Sequence, residues 1–141
     1  MNREILFRGK RLDNNKWLYG SHFTDSGEDY IIPQNLLGIN DYEECQVDQN
    51  TVGQFTGLRD KNGVKIFGGD IIKHPYVDPI FRDLVEMKDG EGVTSEVIFH
   101  DGAFVVKYDY DYLIYLDAFT RHGHAEVIGN IYDNPELLYT K

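Results

Sequence analysis

The sequence predicts a mainly β protein (β-rich α+β, with little helix): N-terminal β-hairpins over 1–67 pack on a small, strongly bent C-terminal β-barrel over 68–141. Three observations carry this. Aromatic content is 13%, with ten Tyr and eight Phe, and aromatic side chains suit the pleated surface of strands. Fourteen Gly against four Pro supply tight turns. Apolar residues recur at every second position between those turns, the period of a half-buried strand. At 141 residues the chain has the length of one domain, and one of this size buries roughly 68–70% of its unfolded surface, so it needs no disulfide or metal to fold.

The elements follow in order. Ile5 and Phe7 alternate with polar neighbours, and "LDNNK" offers turn residues before Trp17 and Tyr19, which reads as a hairpin. Residues 24–28, "TDSGE", read as a polar loop, and Tyr30 to Ile32 as a short strand stopped by Pro33. The stretch 33–53 is the least patterned. It holds a carboxylate-rich turn at Asp41 to Glu44 and an extended piece from Gln46 to Thr51.

Then comes "TGLRDKNGVKIFGGDII", Thr56 to Ile72. Its glycines and charges invite a binding reading, but a phosphate loop needs glycines that open a helix, with its amides aimed at the anion. Here Asp60, Lys61, Asn62 and Gly63 separate two apolar segments, and Asn-Gly tolerates the positive φ of tight hairpin turns. Gly69 and Asp70 turn the chain again into Ile71-Ile72. The stretch reads as structural turns, not as a ligand cradle.

Residues 76–93 read as an insertion with one helical turn from Ile80 to Met87, because Ile80, Leu84 and Met87 share a helical face. Thr94 to Phe99 and Ala103 to Tyr108 flank the turn His100-Asp101-Gly102, and a last strand runs from Glu126 to Tyr132. Asn134 and Pro135 suit the N-cap and first position of a short terminal helix.

Three segments, "REILFRGKRLDNNKWLYG", "TVGQFTGLRDKNGVKIFGGDII" and "VIGNIYDNPELL", together resemble the YopX-like family of bacteriophage and prophage proteins. The likeness is most specific at Thr56-Gly57-Leu58, Asp60, Gly63, Gly69-Asp70 and Gly129-Asn130. It implies one phage-encoded, predominantly β domain over 1–141, and it brings no catalytic residues with it.

Composition narrows the function. The net charge of −10, from 24 acidic and 14 basic residues, repels a phosphate backbone and removes the counterion-release contribution to nucleic-acid affinity. The basic residues Arg3, Arg8, Lys10, Arg11 and Lys16 near the start read as a solvated face. Cys45 is the lone cysteine, so neither an internal disulfide nor a multi-cysteine zinc site is expected. Neither a signal-peptide core nor a bilayer-length apolar run is present, and the expected location is the bacterial cytoplasm, away from membranes.

Candidate chemistry is sparse. His122 and His124 could face one way on an extended segment and, with His100, Asp101 and Asp117, supply a nitrogen and oxygen metal site. The carboxylate pairs Glu43-Glu44, Glu28-Asp29 and Asp109 with Asp111 read as exposed charge. Glu43 and Glu44 would raise the Cys45 thiol pKa, and no serine sits in a nucleophile elbow. Tyr108, Tyr110 and Tyr112 alternate with aspartates, which would place three phenols on one strand face as core or as an interface. The expectation is therefore a non-enzymatic accessory protein without cofactor or metal, a homo-oligomer with a possible host protein partner. Two alternatives compete with it: an acidic mimic of nucleic acid that blocks a host DNA- or RNA-binding protein, and a small metal-assisted hydrolase.

Overall fold

The computed structural model describes residues 4–36, 39–77, 92–109 and 112–138. The helical turn expected at Ile80 to Met87 lies outside them, as does most of the insertion expected over 76–93. The chain forms two compact units, Met1–Gly57 and Leu58–Lys141. Both are built from antiparallel strands.

In the first unit, β1 (Phe7–Lys10), β2 (Trp17–Asp25), β3 (Glu28–Ile32), β4 (Gln46–Val47) and β5 (Gly53–Arg59) stand in the spatial order β4-β3-β2-β1-β5. The first hairpin is as expected, with Phe7 opposite Gly20 and Lys10 opposite Trp17. Residues 24–28 differ from the expected loop. Asp25 pairs Glu28, and only Ser26 and Gly27 turn the chain, with φ of 53° and 81°. Two successive positive φ values make the primed turn whose twist matches its strands, and Ser-Gly supplies it. Asp41 caps a 3-10 turn over Tyr42–Cys45, its side chain accepting from the Glu43 amide. The extended piece expected from Gln46 to Thr51 is short: β4 gives way to a second 3-10 turn at Gln49–Thr51, capped by Asp48.

β5 carries the chain across the unit boundary. The second unit continues with β6 (Lys65–Phe67), β7 (Asp70–His74), β8 (Val93–His100), β9 (Ala103–Asp109), β10 (Tyr112–Tyr115), a one-turn helix α1 (Asp117–Thr120) and β11 (Glu126–Asn130). A 3-10 turn at Pro135–Leu138 ends the described chain. The strand order is β10-β9-β8-β7-β11. Register shifts at Tyr112/Leu113 and Val127/Gly129 mark bulges, which bend a sheet. Among the described residues no pairing joins β10 to β11, and no closed barrel is seen.

The core of this unit follows from register. Val97 faces Val106, Val106 faces Ile114, and Ile72 faces Val127, so alternate positions on five strands meet on one side. Ile66, Ile72, Val97, Val106, Leu116 and Phe119 are fully or almost fully buried there. Each such side chain contributes roughly 1.5–3 kcal/mol through burial. Leu58 and Ile66 belong to this cluster, which is why the hairpin 58–67 goes with the second unit. The division falls at Gly57 and not after residue 67.

Candidate functional site

The glycine-punctuated stretch is scaffold, and Asp60 is its centre. Asp60 is 7% exposed. Its Oδ1 accepts from the amides of Asn62 (2.8 Å) and Val64 (2.9 Å), and its Oδ2 accepts from the amide of Val127 in β11 (2.9 Å). The Lys61 amide donates to the Ala125 carbonyl at 2.9 Å. One carboxylate thus closes its own turn and ties it to a strand 67 positions away. Gly63 holds φ +82°. Asn62 does not share it, contrary to the Asn-Gly expectation, because the Asp60 side chain nucleates the turn and leaves only Gly63 in the left-handed region.

Gly69 and Asp70 are equally structural. Gly69 has φ +92°, and a Cβ there would come within 3.2 Å of the Tyr132 ring. Its amide donates to the Val97 carbonyl and its carbonyl accepts from the Ile131 amide. Asp70, 2% exposed, accepts from the Phe67 amide at 2.7 Å.

The histidines separate. His100 ends β8, with Nε2 3.2 Å from the Asp101 carboxylate on an exposed turn. His122 and His124 follow α1, with ring centroids 6.2 Å apart. Among the described residues no three His, Cys, Asp or Glu side chains gather as a metal site would need. A shallow depression of about 200 Å³ holds His100 and Asp101 beside Val105, Leu113 and Tyr115. Asp117 instead forms an i,i+4 ion pair with Arg121 at 3.0 Å.

Two histidine pairings were not anticipated. His74 is 2% exposed in β7, packed against Phe119 at 4.4 Å between ring centroids. Its Nδ1 lies 2.8 Å from the Pro75 carbonyl and its Nε2 2.8 Å from the Ser95 hydroxyl. A carbonyl can only accept, so Nδ1 carries the proton and Nε2 accepts from Ser95. Burial pushes the His74 pKa down to about 4. This serine and histidine pair is buried, each residue 2% exposed, with both ring nitrogens hydrogen-bonded. In the first unit, His22 Nε2 lies 2.7 Å from Asp29 Oδ1, which also accepts from Thr24 Oγ1 at 3.2 Å. The Ser26-Gly27 turn sets Thr24 opposite Asp29, so His22 and Asp29 are diagonal neighbours on one face. Recognising a two-residue turn in the sequence would have revealed this pair.

Cys45 is 1% exposed, and its thiol pKa is raised first by burial; Arg11 opposes the rise, and Glu44 and Asp13 add to it. Of the two carboxylates the sequence pointed to, Glu44 acts as implied, after desolvation, while Glu43 is not among the causes and Asp13 takes its place.

The tyrosine stripe does not lie on one strand. Tyr108 is in β9, Tyr112 opens β10 opposite Asp109, and Tyr110 lies outside the described residues. A period-two pattern cannot tell one long strand from two strands joined tightly, because aspartate serves both a solvent face and a turn. Among the described residues, a stacked aromatic cluster lies in the first unit. Phe23 of β2 faces Tyr30 of β3 with ring centroids 5.0 Å apart, Tyr42 packs on Tyr30 at 4.8 Å, and all three planes lie within 26° of one another. Tyr30 is 7% exposed, whereas Phe23 and Tyr42 are 37% and 46% exposed. The Tyr42 hydroxyl donates to Asp25 at 3.0 Å. Hydrogen bonding to Tyr30, then to Asp25, holds its phenol pKa far above the usual tyrosine value.

Comparison with known proteins decides the family. The YopX protein family matches residues 6–139. The chain belongs to the YopX family. The match takes in residues of both units. Protein EF1440 from Enterococcus faecalis has a similar crystal structure, with a TM-score of 0.55 and 22% identity, covering 97% of this chain and 99% of that one. That likeness concerns the fold. No curated protein matches the chain. Among the described residues no helix is long and apolar enough to cross a membrane.

Proposed function

We propose that this YopX-family protein is a phage or prophage accessory protein, without catalysis or cofactor of its own, that works in the host cytoplasm through contacts with itself and with host proteins. One observation carries the reading: the Phe23, Tyr30 and Tyr42 stack. Aromatic side chains exposed together are costly in water and enriched where proteins meet. Tyrosine adds a hydrogen-bonding tip to a rigid ring, which suits a contact surface. Self-association has a separate candidate in β10, an edge strand whose Leu113 and Tyr115 are exposed, since unpaired edges template strand addition. At the opposite edge, the Val127 amide is occupied by Asp60 and the Ala125 carbonyl by Lys61.

Light scattering at physiological salt tests self-association. A mass of twice 16.3 kDa or a higher multiple supports it, and the monomer mass over a wide concentration range removes it.

A further inference from the structure

The aromatic stack of the first unit sits in a field of one sign. Asp25 and Glu28 are direct cross-strand partners at the end of the β2–β3 hairpin, where like charges oppose pairing. Asp25 accepts from the Tyr42 hydroxyl at 3.0 Å, and Glu28 accepts at 2.6 Å from Nε2 of Gln46, the β4 partner of Tyr30. Asp41 and Glu43, both exposed, flank Tyr42. Among the described residues no lysine or arginine pairs with Asp25 or Glu28, and Arg11 is engaged by Asp13 and Glu44.

A hairpin that retains two opposed carboxylates next to half-exposed rings complements a positive charge. Ring faces attract cations, guanidinium most often, and a planar guanidinium can stack on tyrosine while its fork reaches a carboxylate. An anionic surface such as nucleic acid or a lipid headgroup would meet the same carboxylates as repulsion.

Building on the protein-contact reading above, we propose that the Phe23, Tyr30 and Tyr42 stack, with Asp25 and Glu28, docks an arginine-bearing, cationic segment of a partner protein. The rings supply the stacking surface and the carboxylates the charge, so guanidinium is preferred to ammonium.

The test titrates a labelled nona-arginine peptide into the full-length protein at physiological salt, with nona-lysine and nona-glutamate alongside. Wild type should bind nona-arginine, nona-lysine more weakly and nona-glutamate not at all. Tyr42→Ala and Asp25→Asn should each weaken nona-arginine binding about threefold to tenfold, the size of one exposed cation contact. Tyr42→Phe keeps the ring and should retain most of the affinity. Phe99→Ala and Asp101→Asn make matching changes at exposed positions of the second unit and should leave binding within about twofold. Equal weakening across all four sites would mean diffuse attraction to an acidic protein and would overturn the site. Absence of wild-type binding would overturn it too. If light scattering then showed self-association lost in Tyr42→Ala, the stack would be an interface between copies, and the protein-contact reading would outlive the cationic partner.

Discussion

Asp60 shows how one side chain can give a loop the look of a binding site while serving the fold. Its carboxylate accepts three backbone amides. Truncation would open the amides of exposed Asn62 and Val64 to water and leave the half-buried Val127 amide without its partner. Leaving one such donor unpaired costs about 1–3 kcal/mol, so Asp60→Ala should destabilise the protein by about 1–3 kcal/mol in urea unfolding. Gly63→Val should cost more than about 1 kcal/mol from backbone strain alone, because open space surrounds its missing Cβ and φ is +82°. An unchanged melting curve for Gly63→Val would reopen the stretch as a site. His74 adds a pH dependence. Its folded pKa lies near 4 against an ordinary 6.5, so between those values the unfolded chain takes a proton that the folded core refuses. The associated stability is fully present above about pH 6.5 and is lost as pH falls toward 4, up to about 3 kcal/mol. Comparing stability against pH for wild type and His74→Gln should show the wild-type slope flattened in the variant across that window.

At the scale of elements, the hairpins whose turns are spelled by Gly were legible, and those whose turn partner is a side chain were only half legible. The His100-Asp101-Gly102 turn was readable because Asp101 and Gly102 both take positive φ, 50° and 82°, and those residue types tolerate it. Ser26-Gly27 does the same work, yet serine rarely signals that conformation, so strand β3 read shorter than it is and the His22–Asp29 pair stayed hidden. The tie from Asp60 to Val127 was not readable at all, because no local period reports a contact between distant segments. Nor was the aromatic stack, which needs the register of β2 on β3 and the placement of the 3-10 turn carrying Tyr42. Hydrogen exchange tests the tie directly: in Asp60→Ala the Val127 amide should lose protection far more than the Val97 amide in β8, and equal loss at both would mean that Asp60 acts on global stability alone.

For the whole molecule, the division of labour is the claim. The second unit, with its buried Ile72, Val97 and Phe119 and its internally satisfied Asp60, Asp70 and His74, supplies stability. The first unit exposes part of an aromatic stack beside carboxylates that no described lysine or arginine pairs, and the cationic-segment contact proposed above belongs to it. The segments that carry the family likeness best, around Asp60 and Gly69, are therefore the ones least informative about activity, since they fix turns. The measurement that addresses this division most directly is affinity capture from host-cell lysate with full-length wild type and Tyr42→Ala side by side, quantified by mass spectrometry, after melts have shown the two to be equally stable. The account predicts that proteins captured by wild type are depleted severalfold from the Tyr42→Ala sample. Capture of the same proteins in the same amounts by both would contradict it.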